Sequence, residues 1–386
     1  MSERGWLHIA IGVSAAMCLA MGFGRFSYTI MVPLLVQRGE LTEFEAWYVG
    51  ASNLCGFIVG VLITEQVRRR WNVPLILRTL IFISVAALAA SAYEAGFWWL
   101  AIWRGVLGLA VGIIMVLGLA ITTAVTPIAF RSLATSLIFA GVGLGIFLSG
   151  FTIPLVASKG NLIPWLGITG LGVGAAGLAI WGWRNLEDVK CFFNSNHTKT
   201  EFSRAWIMLL LAHACFAIGL VPHTIYWVDF IARELGLGLN VAGDHWGVVG
   251  VCSLMGPAVA FILARQVGTA WALVLLFGIL AVGISAPGFQ TNASVLLISS
   301  MTFGAQPGVS ALIAARARDV GCLNVLPLLM RQLILINGIA AAIAGVCLPV
   351  FFEQNATYGS LFWLAGGFMG LGAALSVPWD SFLKSA

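Results

Sequence analysis

Residues 165–176 read WLGITGLGVGAA, and residues 363–374 read WLAGGFMGLGAA. Trp165-Leu166, Gly172, Gly174, Ala175 and Ala176 recur as Trp363-Leu364, Gly370, Gly372, Ala373 and Ala374, each pair 198 positions apart. The register holds outward from that stretch. Arg25-x-x-Tyr28 meets His223-x-x-Tyr226 at 198, and Gln66-Val67 meets Gln266-Val267 at 200. Arg131 and Arg331 are 200 apart, with Gly145 and Gly345 in matching places. The 386 residues are therefore two diverged copies of one unit, each too long for a solenoid repeat.

The solvent of this chain is lipid. Apolar residues make up 60% and charged residues 9%, against about half and about a quarter in soluble domains. Residues 105–130, 132–158, 160–183 and 205–228 carry no Asp, Glu, Lys or Arg. Residues 266–315 form a charge-free run long enough for two crossings of about 20 residues each, with a turn at Pro287-Gly288. Six spans per copy follow: 8–35, 44–65, 74–94, 97–123, 132–157 and 163–184, then 205–235, 245–265, 268–287, 293–315, 331–352 and 358–379. Such runs are too long for barrel strands, and helices are the other backbone that satisfies itself in hydrocarbon. The expected fold is an all-α integral membrane protein of twelve transmembrane helices in two pseudo-symmetric six-helix bundles. Its domains are 1–184, a cytoplasmic linker at 185–204, and 205–386. The first span matches the seventh, so it is expected to be a mature helix rather than a cleaved signal.

Lys and Arg orient the chain. With both termini inside, fifteen fall in inner loops and tails, among them Arg4, Lys190, Lys199 and Lys384; Arg38, Lys159 and Arg233 fall outside. The positive charge then reflects topology, and a nucleic-acid partner has no support. No cysteine falls in an outer loop; Cys191 and Cys322 face the cytoplasm, and no CxxC spacing occurs. Disulfides and a metal cluster are not expected. No phosphate loop, Ser/His/Asp set or paired-carboxylate site occurs in a loop able to host chemistry. No catalytic residue or cofactor is expected, and the chain does not read as an enzyme.

An even number of spans inserts both copies in the same orientation, an arrangement that places a cavity between them near the midplane. Here the residues resemble the major facilitator superfamily over the whole chain. The segment after the second span, Gly60-Val-Leu-Ile-Thr64-Glu65-Gln-Val67-Arg68-Arg69-Arg70, is similar to that family's signature loop. It departs at Thr64, where the family has Asp, and at Val67, where it has a second Gly. Arg104-Gly-Val-Leu-Gly108-Leu-Ala-Val-Gly112 is similar to its buried-arginine motif, and Gly141-Val-Gly143-Leu-Gly145 with Gly150 to its glycine-rich helix. Gly22-Phe-Gly24-Arg25-Phe-Ser-Tyr28 resembles the uncharacterised YbfB/YjiJ-type branch. The resemblance implies secondary transport by rocking of two bundles, a monomer, and a conformational role for Gly60, Glu65, Arg68, Arg69 and Arg70.

Charges inside spans mark the candidate site, since a charge in a membrane helix is costly and usually faces a bundle interior or cavity. Arg25 and Arg104 lie roughly 6 and 9 Å outward of the middle of spans 1 and 4, at 1.5 Å per residue. A guanidinium holds a carboxylate or phosphate with two parallel bonds. Arg25, Tyr28, Arg104, His223 and Tyr226 are therefore the expected substrate-binding residues. Arg104 also admits a structural role, and His223 that of a satisfied core histidine. Asp229, the clear acid within a span, is the proton-coupling candidate, with an interfacial acid as the plainer reading. Pro222 is expected to break the seventh helix beside His223. Asn53, Gln306, Gln332 and Asn337 read as interhelical hydrogen bonders. Trp98, Trp99, Trp181 and Trp183 read as interfacial belt residues.

The expected protein is a bacterial-type inner-membrane transporter of a small organic anion, with the bilayer and a small-molecule substrate as partners and protons as a candidate coupling ion. Efflux of hydrophobic compounds and a non-transporting receptor or scaffold are the rival readings.

Overall fold

The protein's structure, a computed structural model, describes residues 5–160, 162–184, 186, 203–320, 326–355 and 357–378. Arg4, Lys190, Cys191, Lys199, Cys322, Lys384 and most of the expected linker lie outside the described residues. Among the described residues there are helices and no strands. Twelve helices are long and apolar enough to cross a membrane, as the hydropathy pattern predicts. In the first copy they are α1 (Gly5–Gln37), α2 (Glu43–Arg70), α3 (Val73–Ala90), α4 (Gly96–Val125), α5 (Ile128–Ala157) and α6 (Leu162–Gly182). In the second they are α7 (Arg204–Glu234), α8 (Gly238–Val267), α9 (Thr269–Gly288), α10 (Ala293–Val320), α11 (Leu329–Gln354) and α12 (Tyr358–Ser376).

The larger differences from the sequence-based bounds have local causes. Helix α2 runs on through Arg70, so the signature segment is helical rather than a loop. Glu65 supports the extension by accepting from Arg68 three residues on (2.8 and 2.9 Å) and Arg69 four residues on (3.0 Å). At its other end Thr42 and Glu45 form a capping box that satisfies two of the first free N–H groups. Helix α8 starts at Gly238, several residues before the expected 245, with polar residues in its first turns. The α7–α8 turn passes through Gly236 and Gly238, both at positive φ (65° and 81°), where a Cβ would be strained.

Two helices widen into π turns. In α1 the stretch Cys18–Phe26 is π-helical, and Ser27 N–H closes it on the Gly22 carbonyl five residues back. In α7 the stretch Phe230–Glu234 is π-helical, closed by Leu235 N–H on the Phe230 carbonyl at 2.9 Å. Helix α7 continues past Pro222 as far as Ile225 and is interrupted at Tyr226. The expected break at Pro222 is therefore displaced by one turn.

The chain forms two compact units, Met1–Phe192 with Thr224–Leu254, and Phe193–His223 with Met255–Ala386. In the first unit, glycines bring backbones into contact. A Cβ on Gly56, Gly60, Gly108 or Gly112 would run into main-chain atoms across the α2–α4 seam. Helix α5 is flanked the same way: Gly145 meets the Gly22 Cα of α1, and Gly143 and Gly150 meet Gly250 and Gly247 of α8. In the second unit, α9 and α12 interlock through Gly366 on Ser285 and Gly372 on the Phe277 ring, and Gly219 of α7 meets the Ala365 carbonyl of α12. In lipid, where apolar attraction between helices is weak, such close approach is what binds them. Trp98 and Trp181 are exposed as belt residues should be, at 75% and 42%. Trp183 is a correction: it is fully buried, seated on the space left by Gly12.

Gly108→Leu should force α2 and α4 apart, and overpacking of this kind costs about 1–3 kcal/mol or more. Gly174→Leu, with nothing within 4 Å of its would-be Cβ, should be tolerated. Comparing melting temperatures of the two purified variants checks this; equal melting would remove the seam's structural role.

Candidate functional site

The π turn of α1 carries Arg25, and α4 carries Arg104 one helix away. The two meet directly: Arg104 Nη2 donates to the Arg25 main-chain carbonyl at 2.9 Å. The Arg104 guanidinium also lies 4.6 Å from the centroid of the Tyr28 ring. A cation held over a desolvated aromatic face gains about 2 kcal/mol. Tyr28 is fixed in turn, because its hydroxyl donates to the Ala46 carbonyl of α2 at 2.8 Å. Asn53 of α2 completes the support by donating Nδ2 to the Arg104 main-chain carbonyl at 3.0 Å, the interhelical bond expected of it.

The electrostatics of this group are one-sided. Arg104 is 0% exposed and Arg25 is half-buried. Arg104 Nε and Nη1 and Arg25 Nε are buried with no hydrogen-bond partner. Among the described residues, no carboxylate pairs with either guanidinium. What Arg104 meets, a ring face and a main-chain carbonyl, is neutral. The Arg25 guanidinium lies 5.6 Å from the centroid of the neighbouring Phe26 ring. Phe26 packs on Trp246 with ring centres 6.1 Å apart, and Tyr226 packs edge-on to Trp47 at 4.8 Å.

His223 and Tyr226 are each described within their own unit. His223 belongs to the second unit, where Nε2 shares a 2.8 Å hydrogen bond with Ser299 Oγ of α10. The rings of Phe303 and Phe362 lie 5.1 and 5.0 Å from it. Tyr226, three residues on, belongs to the first unit and is fully buried, its hydroxyl without a hydrogen-bond partner. The interruption at Tyr226 separates the surroundings of a pair whose spacing would otherwise share one face. Of the five expected binding residues, the structure brings Arg25, Tyr28 and Arg104 together.

Asp229 is fully buried and accepts from Arg233 Nε at 2.6 Å. Arg233 Nη2 also reaches Glu43 Oε1 of α2 at 2.5 Å. Arg233 therefore sits in the last turn of α7 rather than in a loop, and it clasps α7 to α2. Thr29 Oγ1 donates to the Thr224 carbonyl at 2.5 Å and adds a tie from α1. The sequence pattern contained half of this clasp, because Arg233 lies four residues after Asp229, one helical turn on. Glu43 could not be found that way, since nothing local links it to α7.

The signature residues gather at the opposite end of α2: Glu65 pairs with Arg68 and Arg69, and Gly60 meets the Leu109 carbonyl of α4. In the second unit, Trp206 Nε1 donates to Gln332 Oε1 at 2.8 Å and His213 Nε2 meets Asn337 Nδ2 at 3.1 Å, joining α7 to α11. A separate cavity of about 230 Å³ lies between the α1–α2 and α3–α4 turns, lined in part by Glu40, Ser91 and Glu94. Burial pushes the Glu40 carboxyl up, Glu94 adds to the effect and Arg38 opposes it. Among the described residues, no group of three or more His, Cys, Asp or Glu could hold a metal ion.

Removing the cation from a buried ion pair is costly, and with Arg233 21% exposed the expected loss is about 2–3 kcal/mol. Arg233→Gln should therefore lower the melting temperature of the purified protein. Adding Asp229→Asn to that variant should restore part of the loss. Unchanged melting of Arg233→Gln would show that the clasp contributes nothing to stability.

No curated protein matches the chain. Its fold is similar to that of a D-xylose-proton symporter, with a TM-score of 0.77 at 16% identity over 96% of this chain and 98% of that one. It is also similar to the xylose transporter XylE from E. coli in a partially occluded inward open conformation (TM-score 0.71, 16% identity, 95% and 98% covered). The inward open conformation of XylE from E. coli gives 0.76 at 15% identity over 96% and 95%. At such identities the likeness speaks for the fold, and the family follows from the sequence itself: residues 17–377 match the model described as an uncharacterised MFS-type transporter YbfB, and the chain belongs to that family.

Proposed function

We propose that this multi-pass secondary transporter moves a small organic anion by alternating access, binding its charged group at Arg25 and Arg104. The observation that carries the reading is two neighbouring arginines, Arg104 bonded to the main chain of Arg25, with buried N–H donors that lack partners and no carboxylate ion pair among the described residues. A buried cation of this kind is stable when a counter-charge supplies its missing hydrogen bonds, and a substrate carboxylate does so. Tyr28 and Asn53 hold Arg104 in place for that contact. The aromatic pairs Phe26–Trp246 and Trp47–Tyr226 support a substrate with an apolar or aromatic body. Asp229 is assigned to the α2–α7 clasp rather than to proton uptake, because its charge is already committed to Arg233.

The moving bodies in this proposal are the two six-helix copies, 1–184 and 205–386, joined by 185–204. In this proposal both termini are cytoplasmic, on the distribution of Lys and Arg, and the family resemblance supports a monomer in a bacterial inner membrane. A C-terminal alkaline phosphatase fusion should be inactive under that topology; an active one would reverse it.

Thermal stabilisation of the purified protein by benzoate, lactate and succinate, with choline as the cationic control, tests the site. Benzoate should stabilise most and choline not at all. Hydrogen bonds to charged groups contribute about 1.5–3 kcal/mol, so Arg25→Gln or Arg104→Gln should weaken carboxylate binding about tenfold or more. Equal binding and transport by Arg25→Gln and the parent protein would sink the anion site.

A further inference from the structure

We infer that this carrier is an exchanger: the Arg25–Arg104 site re-crosses the membrane only with an anion bound, so an anion carried one way is traded for a second anion. The inference rests on the anion reading above and goes beyond it to the stoichiometry of the cycle.

The argument is a charge inventory. Of the acidic residues described, Asp229 is the one that is buried, and Arg233 holds it. The others, from Glu40 in the α1–α2 turn to Glu353 near the end of α11, stand in turns or within two turns of a helix end. Those on the helices around the site obey the same rule: α2 contributes Glu43, Glu45 and Glu65 at its ends, and α1, α4 and α5 contribute none. A carrier that returns unloaded needs a carboxylate of its own to take over the cation when the substrate leaves. Among the described residues no carboxylate forms an ion pair with Arg25 or Arg104, and Asp229, whose charge reaches Tyr28, is held by Arg233. What Arg104 does contact, the Tyr28 ring and the Arg25 carbonyl, is neutral.

Alternating access passes through a closed state from which water is excluded. Taking an uncompensated charge out of water is strongly unfavourable. Arginine cannot shed its proton to escape that cost, as lysine or histidine can. An anion on the site removes the penalty, so the loaded carrier crosses fast and the unloaded one slowly. The counter-substrate is thus an anion small enough for the same two guanidinium groups.

The test uses the full chain in chloride-free liposomes, with the one of benzoate, lactate and succinate that stabilises it most, in radiolabelled form. Vesicles are loaded with the same unlabelled anion or with dextran sulfate, whose anion is too large to be carried, and the potential is clamped with potassium and valinomycin. Uptake should be at least 30-fold faster into vesicles holding the small anion. Equal uptake into both would overturn exchange while leaving the anion site standing, because binding is read separately. A proton gradient that drives uptake into dextran sulfate vesicles at the exchange rate would overturn it as well. Absence of binding by all three carboxylates would remove the anion site and the exchange with it. Tyr28→Asp, which places a carboxylate beside Arg104, should raise uptake into dextran sulfate vesicles at least tenfold. If that variant does not fold, the ratio measured on the parent protein decides alone.

Discussion

Everything in the first unit depends on main chain meeting main chain. Glycine on α2, α4 and α5 removes the Cβ that would hold neighbouring helices apart, so α4 lies directly on α2 and α1 directly on α5. That approach is what allows short polar reaches in a lipid-embedded bundle. Asn53 can bond the main chain of α4, and Arg104 can bond the main chain of α1, only because the helices are that close. The charged site is thus a product of packing, with its positions set before any ligand contributes.

Much of this was legible in the residues. The twelve helices follow from runs of apolar side chains too long for any other membrane structure, and the duplication makes each copy a check on the other. Arg25 and Arg104 stand out because a charge in such runs is costly and marks a candidate site. What was hidden is what depends on contacts distant in sequence. Glu43 and Arg233 read as loop charges, and nothing within either segment announces that they meet. Trp183 reads as an interfacial tryptophan from its neighbours, yet Gly12, some 170 positions away, takes it into the interior. Tyr226 reads as the partner of His223 from spacing alone; the interruption of α7 at that residue is a tertiary outcome that periodicity does not record.

The two copies also differ in how they are stabilised at equivalent places. Arg25 in one copy carries charge, and its counterpart His223 in the other is held by Ser299 and two phenylalanine rings. One side keeps its polarity available and the other has settled it among its own helices. A scaffold inherited twice has kept its seams and divided its chemistry.

The π turn in α1 has a consequence for how such proteins diverge. It holds one more residue than the α turn it replaces. Loss of a single residue between 18 and 26 would let an α turn close in its place, and the helix beyond it would keep its facing. Tyr28, just past the turn, would keep the face it offers to Arg104. The widened turn therefore lets this helix gain or lose one residue without re-aiming what lies beyond it.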